Sequence, residues 1–307
     1  MRLATFVTVV CLTLGLVPAG RAGLIWDLEA VDAAGKGTHV SLDWPNPTDP
    51  DHDEISESMV VAEGILLNRS DDYLDPATTF QVYVQGDGGG GVAVYAGKWY
   101  QSGIWATEYE RMSKDPTTGH EFEAGDRVRV TGLTLFYKGK TNINERHEED
   151  PEYDVTIKLI AAGAGMPAPQ FLPAVAECNT FDQTRATGAE HHQGQWCRFA
   201  DVEMLSGTWA AGETIQISDN GVDTFDVLLS ATGDFSAPAP TGRFSVTGIF
   251  DQEDDGSSPY TDGYRLWVKD AAAFGAPLTA VVAEPAAGAV LALGAAGLGA
   301  RRRRRRG

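Results

Sequence analysis

Asp251, Glu253 and Asp255 set oxygen donors at the first, third and fifth positions of a run with Gly256 at the sixth and Asp262 at the twelfth. That is the spacing of a calcium loop, in which alternate side chains and a glycine turn wrap hard oxygen ligands around one cation. Glu253 and the short Asp262 depart from the usual residues. The flanks Phe244–Ile249 and Tyr264–Val268 read as strands, which excludes an EF-hand. A calcium site and an acidic hairpin tip both remain open. A second group is basic. Arg127 and Arg129 share one strand face, and Phe136, Lys138 and Lys140 share a face of the strand expected next. If those faces adjoin, four cations and a ring form a strip for a polyanion, either single-stranded nucleic acid or an acidic polysaccharide. The plain alternative is a set of cations that keeps an outward sheet edge soluble.

Other constellations are weaker. His191-His192 would point to opposite faces of a strand, and no acidic or cysteine partner lies nearby in sequence. Asp49-Pro50-Asp51-His52-Asp53 lacks the glycine a metal loop needs and reads as a solvated acidic loop. The run Gly88–Gly91 has neither the lysine nor the following helix of a phosphate-cradling loop, and reads as a flexible hairpin tip. No catalytic residue is assigned, and a non-enzymatic role is expected. Cys178 and Cys197 are the cysteines that remain outside the N-terminal apolar stretch. In an exported chain such a pair tends to be bridged, closing a short loop worth roughly 3 kcal/mol; two buried thiols are the alternative.

The two ends carry the strongest signals. Arg2, an apolar stretch Leu3–Val17, and then Pro18, Gly20 and Ala22 predict a secretory signal over 1–22, cut after Ala22. At the other end, over 276–307, Glu284-Pro285 precedes an uncharged apolar segment, 286–300, and then Arg301, Arg302, Arg303, Arg304, Arg305 and Arg306. Pro285 suits a helix start. Fifteen residues reach only ~22 Å as a helix, short of the ~30 Å hydrocarbon core, so the segment is a marginal transmembrane span. The arginines hold its end inside.

This layout resembles the PEP-CTERM sorting signal, with Ala283 where the motif has its first proline. The resemblance implies an exported protein, tethered briefly in the inner membrane and processed by an exosortase-type enzyme. It would then be delivered to the cell surface or extracellular matrix of a Gram-negative bacterium that makes exopolysaccharide, with which it would associate. Residues 23–284 carry 16 basic and 43 acidic residues, a net charge of −27. Such a charge repels polyanions at long range and argues against general nucleic-acid affinity, which depends on basic residues.

The body must position these groups mainly with β structure. Residues 23–56 are acidic and proline-bearing, and an irregular segment is expected there. Phe80–Val84 alternates and runs into a glycine turn, then Val92–Tyr95. A weak repeat follows: Phe80-Gln81-Val82 is echoed by Ile215-Gln216-Ile217, and Val128–Gly132 by Phe244–Gly248. The order of elements resembles tandem OB-fold barrels of secreted bacterial proteins. That resemblance implies a mainly β fold of two OB-like small barrels, over 57–165 and 195–275, joined by a linker, 166–194, that begins in the Gly/Ala/Pro-rich stretch Ala161–Pro173. An immunoglobulin-like pair of sandwiches is the competing architecture.

Overall fold

Alternating side chains dictate most elements here, and Phe80-Gln81-Val82-Tyr83-Val84 shows how far the pattern reaches: all five are buried, so both strand faces are covered. The computed structural model describes residues 24–39, 59–98, 103–144 and 153–278. The signal segment 1–22, residues 40–56 of the acidic segment, and the tail with Glu284, Pro285 and Arg301–Arg306 lie outside the described residues. Among the described residues, no helix is long and apolar enough to cross a membrane.

The protein is mainly β, with two five-stranded sheets each closed into a barrel. The first uses β1 (Val60–Leu66), β2 (Thr79–Gln85), β3 (Gly91–Gly97), β4 (Arg127–Tyr137) and β5 (Lys140–Asn144). Their order is β1-β2-β3-β5-β4, closed by β1 against β4. The β3–β5 pair is parallel. A sixth strand, β6 (Thr156–Ala161), adds to the flank of β4. The second barrel uses β8 (Trp196–Gly207), β9 (Thr214–Ser218), β10 (Phe225–Leu229), β11 (Arg243–Gln252) and β12 (Tyr264–Val268). It repeats the order as β8-β9-β10-β12-β11, closed by β11 against β8, with β10–β12 parallel. Closed barrels replace the face-to-face sandwiches of the competing architecture.

The weak repeat falls on equivalent strands, second with second (β2, β9) and fourth with fourth (β4, β11). Its terminal glycines do the same work in each. A Cβ on Gly132 would lie 2.6 Å from an Ile143 methyl, and one on Gly248 would lie 2.4 Å from the Trp267 carbonyl oxygen. In both barrels a bare backbone lets the fourth strand approach the fifth.

Each barrel has its own core. Phe80, Val82, Val92, Val94, Val128, Val130 and Ile143 fill the first, with Trp105 and Met112 of a helix, α2 (Trp105–Ser113), and Ile25 and Leu28 from α1 (Leu24–Leu28). Phe199, Ile215, Ile217, Phe225, Phe244 and Phe250 fill the second.

Three expectations are corrected. The described part of the acidic N-terminal segment, residues 24–39, is ordered and seated on the barrels. The supposed linker contributes β7 (Gln170–Phe171), α3 (Val175–Cys178) and a 3-10 turn, Ala189–His191, with Val175, Cys178 and Ala189 in the second core. The glycine run is also packed: a Cβ on Gly90 would lie 2.8 Å from the Trp26 Cα, and one on Gly91 only 1.8 Å from the Gly194 carbonyl oxygen.

Candidate functional site

Where the two barrels meet, the outward faces of β2 and β3 pack on those of β11 and β12 rather than facing solvent. On one barrel Tyr83 and Ala93, and on the other Ile249 and Trp267, form an apolar patch with Leu67 and Tyr73. Beside it sits a buried ionic group built around Asp251, whose exposure is 0%. The Lys140 ammonium donates to Asp251 Oδ1 at 2.6 Å, and the Tyr83 hydroxyl donates to the same oxygen at 2.6 Å. Arg265 Nε donates to Oδ2 at 2.9 Å, and its Nη2 reaches Glu253 Oε2 at 2.6 Å. Lys138 closes the chain at 3.3 Å from Glu253 Oε1.

The tight turn Lys138-Gly139 positions both lysines. Both residues take positive φ (48° and 98°) between paired Tyr137 and Lys140, the backbone of a two-residue hairpin. A Cβ on Gly139 would lie 2.3 Å from the Gln252 side chain. Gln252 itself accepts from Gln193 at 2.6 Å and donates to the Asp262 carbonyl at 2.8 Å.

Burial pushes the Asp251 carboxyl up, but Lys140 and Arg265 more than reverse this and hold it below the ordinary carboxylate range. Glu253 is held low in the same way, with burial opposed chiefly by Arg265. Burial, and then Asp251, push the Tyr83 hydroxyl well above the usual phenol range. These groups hold charge still rather than move protons: the acid is ionised, the phenol stays protonated, and both cations are engaged.

The calcium reading is therefore corrected. Asp251 and Glu253 leave the end of β11 toward the joint, where ammonium and guanidinium groups occupy their oxygens. Asp255 is exposed and accepts from the Ser257 amide and hydroxyl at 3.0 and 2.7 Å. Asp262 is exposed as well, while Asp254, which the calcium spacing skips, is buried. Among the described residues no three His, Cys, Asp or Glu side chains are arranged to hold a metal ion. Calcium at millimolar concentration should therefore raise the melting temperature no more than magnesium does; a shift specific to calcium would restore the metal reading.

The cationic strip also dissolves. Arg127–Tyr137 is one continuous strand, so Arg127 and Arg129 fall on the opposite face from Phe136. Arg127 pairs with both oxygens of Asp87. Arg129 donates to Glu63 at 2.6 Å, and the Phe136 ring packs against Tyr260 at 4.9 Å between centroids. With Lys138 and Lys140 in the joint, each of the four cations faces a carboxylate.

Cys178 and Cys197 are buried free thiols, and the expected bridge is not formed. Burial raises both thiols, with Cys178 adding to the shift of Cys197. His191 and His192 are built into the second barrel's flank: His191 packs edge-on to Trp26 at 5.4 Å, and His192 Nδ1 lies 3.0 Å from Gln170 Oε1. Burial, then His191, pull His192 down to about 4.

Several participants carry no sequence signal of their own. Tyr83 and Arg265 look like ordinary outward strand residues, and Gln193 and Gln252 look like surface amides. No protein-family model matches the chain, and no curated protein matches it.

Proposed function

We propose that this chain is an exported protein of the cell surface or extracellular matrix, sorted by a PEP-CTERM-type signal and carrying a rigid, non-enzymatic pair of OB-like barrels that binds polymer or partner proteins. One observation carries the sorting: Glu284-Pro285, an uncharged apolar run and six arginines follow in the order that export, tethering and cleavage need. Strand order supports the OB-like reading, because each barrel is a five-stranded closed sheet whose third and fifth strands run parallel.

Barrels of that kind bind oligonucleotides or oligosaccharides on the face of strands 2 and 3 and the adjoining loops. In the first barrel that face holds Tyr83 and Ala93 and is covered by the second barrel. In the second barrel the corresponding outer face carries Thr214, Gln216 and Asp226, with Gln216 donating to Asp226 at 3.3 Å. Amide, hydroxyl and carboxylate groups favour a neutral, hydroxyl-rich polymer. They disfavour nucleic acid, as does the net charge of the body.

Intact mass of the protein recovered from its producer tests the sorting. The mature chain should lack Arg301–Arg306, and replacing Glu284-Pro285 should leave a tethered precursor. Recovery of full-length membrane-embedded chain alone would reject processing. Binding to immobilised neutral glycan, anionic glycan and single-stranded DNA over a salt series tests the ligand class. Retention by the neutral glycan alone, insensitive to salt, is the expected result; salt-sensitive retention by DNA would favour the nucleic-acid reading.

A further inference from the structure

Residues 24–39 form a strap laid across both barrels. Ile25 and Leu28 enter the first core. The Arg185 guanidinium lies 3.8 Å above the Trp26 ring and donates to the Trp26 carbonyl. At the far end the Tyr260 amide donates to the Ala34 carbonyl at 2.7 Å, and Gly35 sits where a Cβ would strike the Tyr260 carbonyl. Between these fixings two carboxyls are driven into the interior: Glu29 of the strap and Glu190 of the second barrel's flank, 4% and 1% exposed.

We propose that this strap is a proton-controlled latch, docked while Glu29 and Glu190 are uncharged and released as they ionise.

Glu29 faces Arg185 and Glu190 from one side and Lys140 and the Thr141 amide from the other, the amide donating at 3.3 Å. Glu190 faces the Tyr264 hydroxyl, which donates at 2.7 Å, and also Arg185 and Gln193. Asp27 adds a further negative charge near Arg185. Lys140 is committed to Asp251 and offsets Glu29 less than Arg185 does, so most of the compensation for both carboxylates falls to Arg185. The polar atoms are also under-supplied: Glu190 Oε2, Arg185 Nη2 and Thr141 Oγ1 are buried without a hydrogen-bond partner. A buried carboxylate so placed is costly, and the group takes up a proton instead. Burial accordingly pushes Glu29 up to about 8 and Glu190 up to about 7, against partial opposition from Arg185.

The sign follows from linkage. Both folded values lie above the ordinary 4.5. Docking is therefore complete below that value and weakens as pH rises toward the folded values, by about ten-fold per pH unit for Glu29 alone. Above the folded values the dependence levels off.

Hydrogen exchange of the natively exported protein from pH 5 to 9, corrected for intrinsic rates, reads the latch directly. Protection at residues 24–39 and at the Tyr260 amide should fall with rising pH while β2 and β9 hold theirs. Glu29→Gln, which keeps the shape of the neutral acid, should flatten the slope over 24–39. Should that variant not fold, Glu190→Gln must still lessen the slope, because it removes the second titrating group. Strap protection that does not vary with pH, or an undiminished slope in every variant that folds, would overturn the latch.

Discussion

Asp251→Ala should destabilise the protein by about 3–5 kcal/mol, because it strands two cations in a low-dielectric joint without their shared anion. The effect arises at Lys140 and Arg265, whose ammonium and guanidinium groups lose charge-assisted hydrogen bonds of 2.6 and 2.9 Å. Glu253→Ala should cost clearly less, since its side chain is 32% exposed and water can replace it. The pH profile gives a second reading. Asp251 is held below its ordinary 3.8, so its contribution is fully present above that value and is lost as pH falls through the lower folded value. Denaturant melts of the two variants at neutral pH, and of the parent down through acid pH, check both statements. Equal losses for the two substitutions would mean that Asp251 is no more than a surface ion pair.

Gly91→Ala should be nearly as damaging although it adds only a methyl group. The new Cβ would lie 1.8 Å from the Gly194 carbonyl oxygen, backbone against backbone, so no side chain can rotate away. Two hydrogen bonds run beside this approach, from the Gly91 amide to Gln193 O at 3.2 Å and from the Gly194 amide to Phe250 O at 2.8 Å. Separating the barrels enough to admit the methyl strains the first of these, which crosses from one barrel to the other. A loss of about 1–3 kcal/mol, or more, is expected by analogy with overpacked interiors. The loss should be accompanied by faster exchange of the residue 91 amide, whose acceptor is Gln193 O of the other barrel. A variant within about 0.5 kcal/mol of the parent, the range of an ordinary surface change, would contradict the close approach.

Much of the fold is legible in the residues. The echo of Phe80-Gln81-Val82 in Ile215-Gln216-Ile217 falls on strands of the same rank, and the two Val-Thr-Gly endings mark the same crowded crossing in each barrel. What the sequence conceals is the joint. Tyr83 and Arg265 alternate with core residues, and alternation reports polarity, not whether water or a second barrel supplies the partner. The acidic run misleads for a related reason. Oxygen ligands at alternate positions suit a metal loop, but alternate positions at the end of a strand also share one face, and here that face meets Lys140 and Arg265. The basic strip fails on continuity, because β4 passes through Gly132 and Leu133 without a turn and so parts Arg127 and Arg129 from Phe136. Residues 24–39 read as irregular because their partners, Arg185, Thr141 and Tyr260, come from distant parts of the chain. Glu29 and Glu190 give no local sign that they are buried.

Scanning calorimetry of the purified protein at neutral pH tests the two-barrel lock most directly. If the Asp251 group, the Gly91–Gly194 approach and the strap bind the barrels into one body, both should melt in a single transition, with calorimetric and van't Hoff enthalpies in agreement. Asp251→Ala should then lower that transition or split it in two. Two separate transitions in the unmodified protein, unchanged by Asp251→Ala, would show that the barrels are independent and that the joint does not hold them.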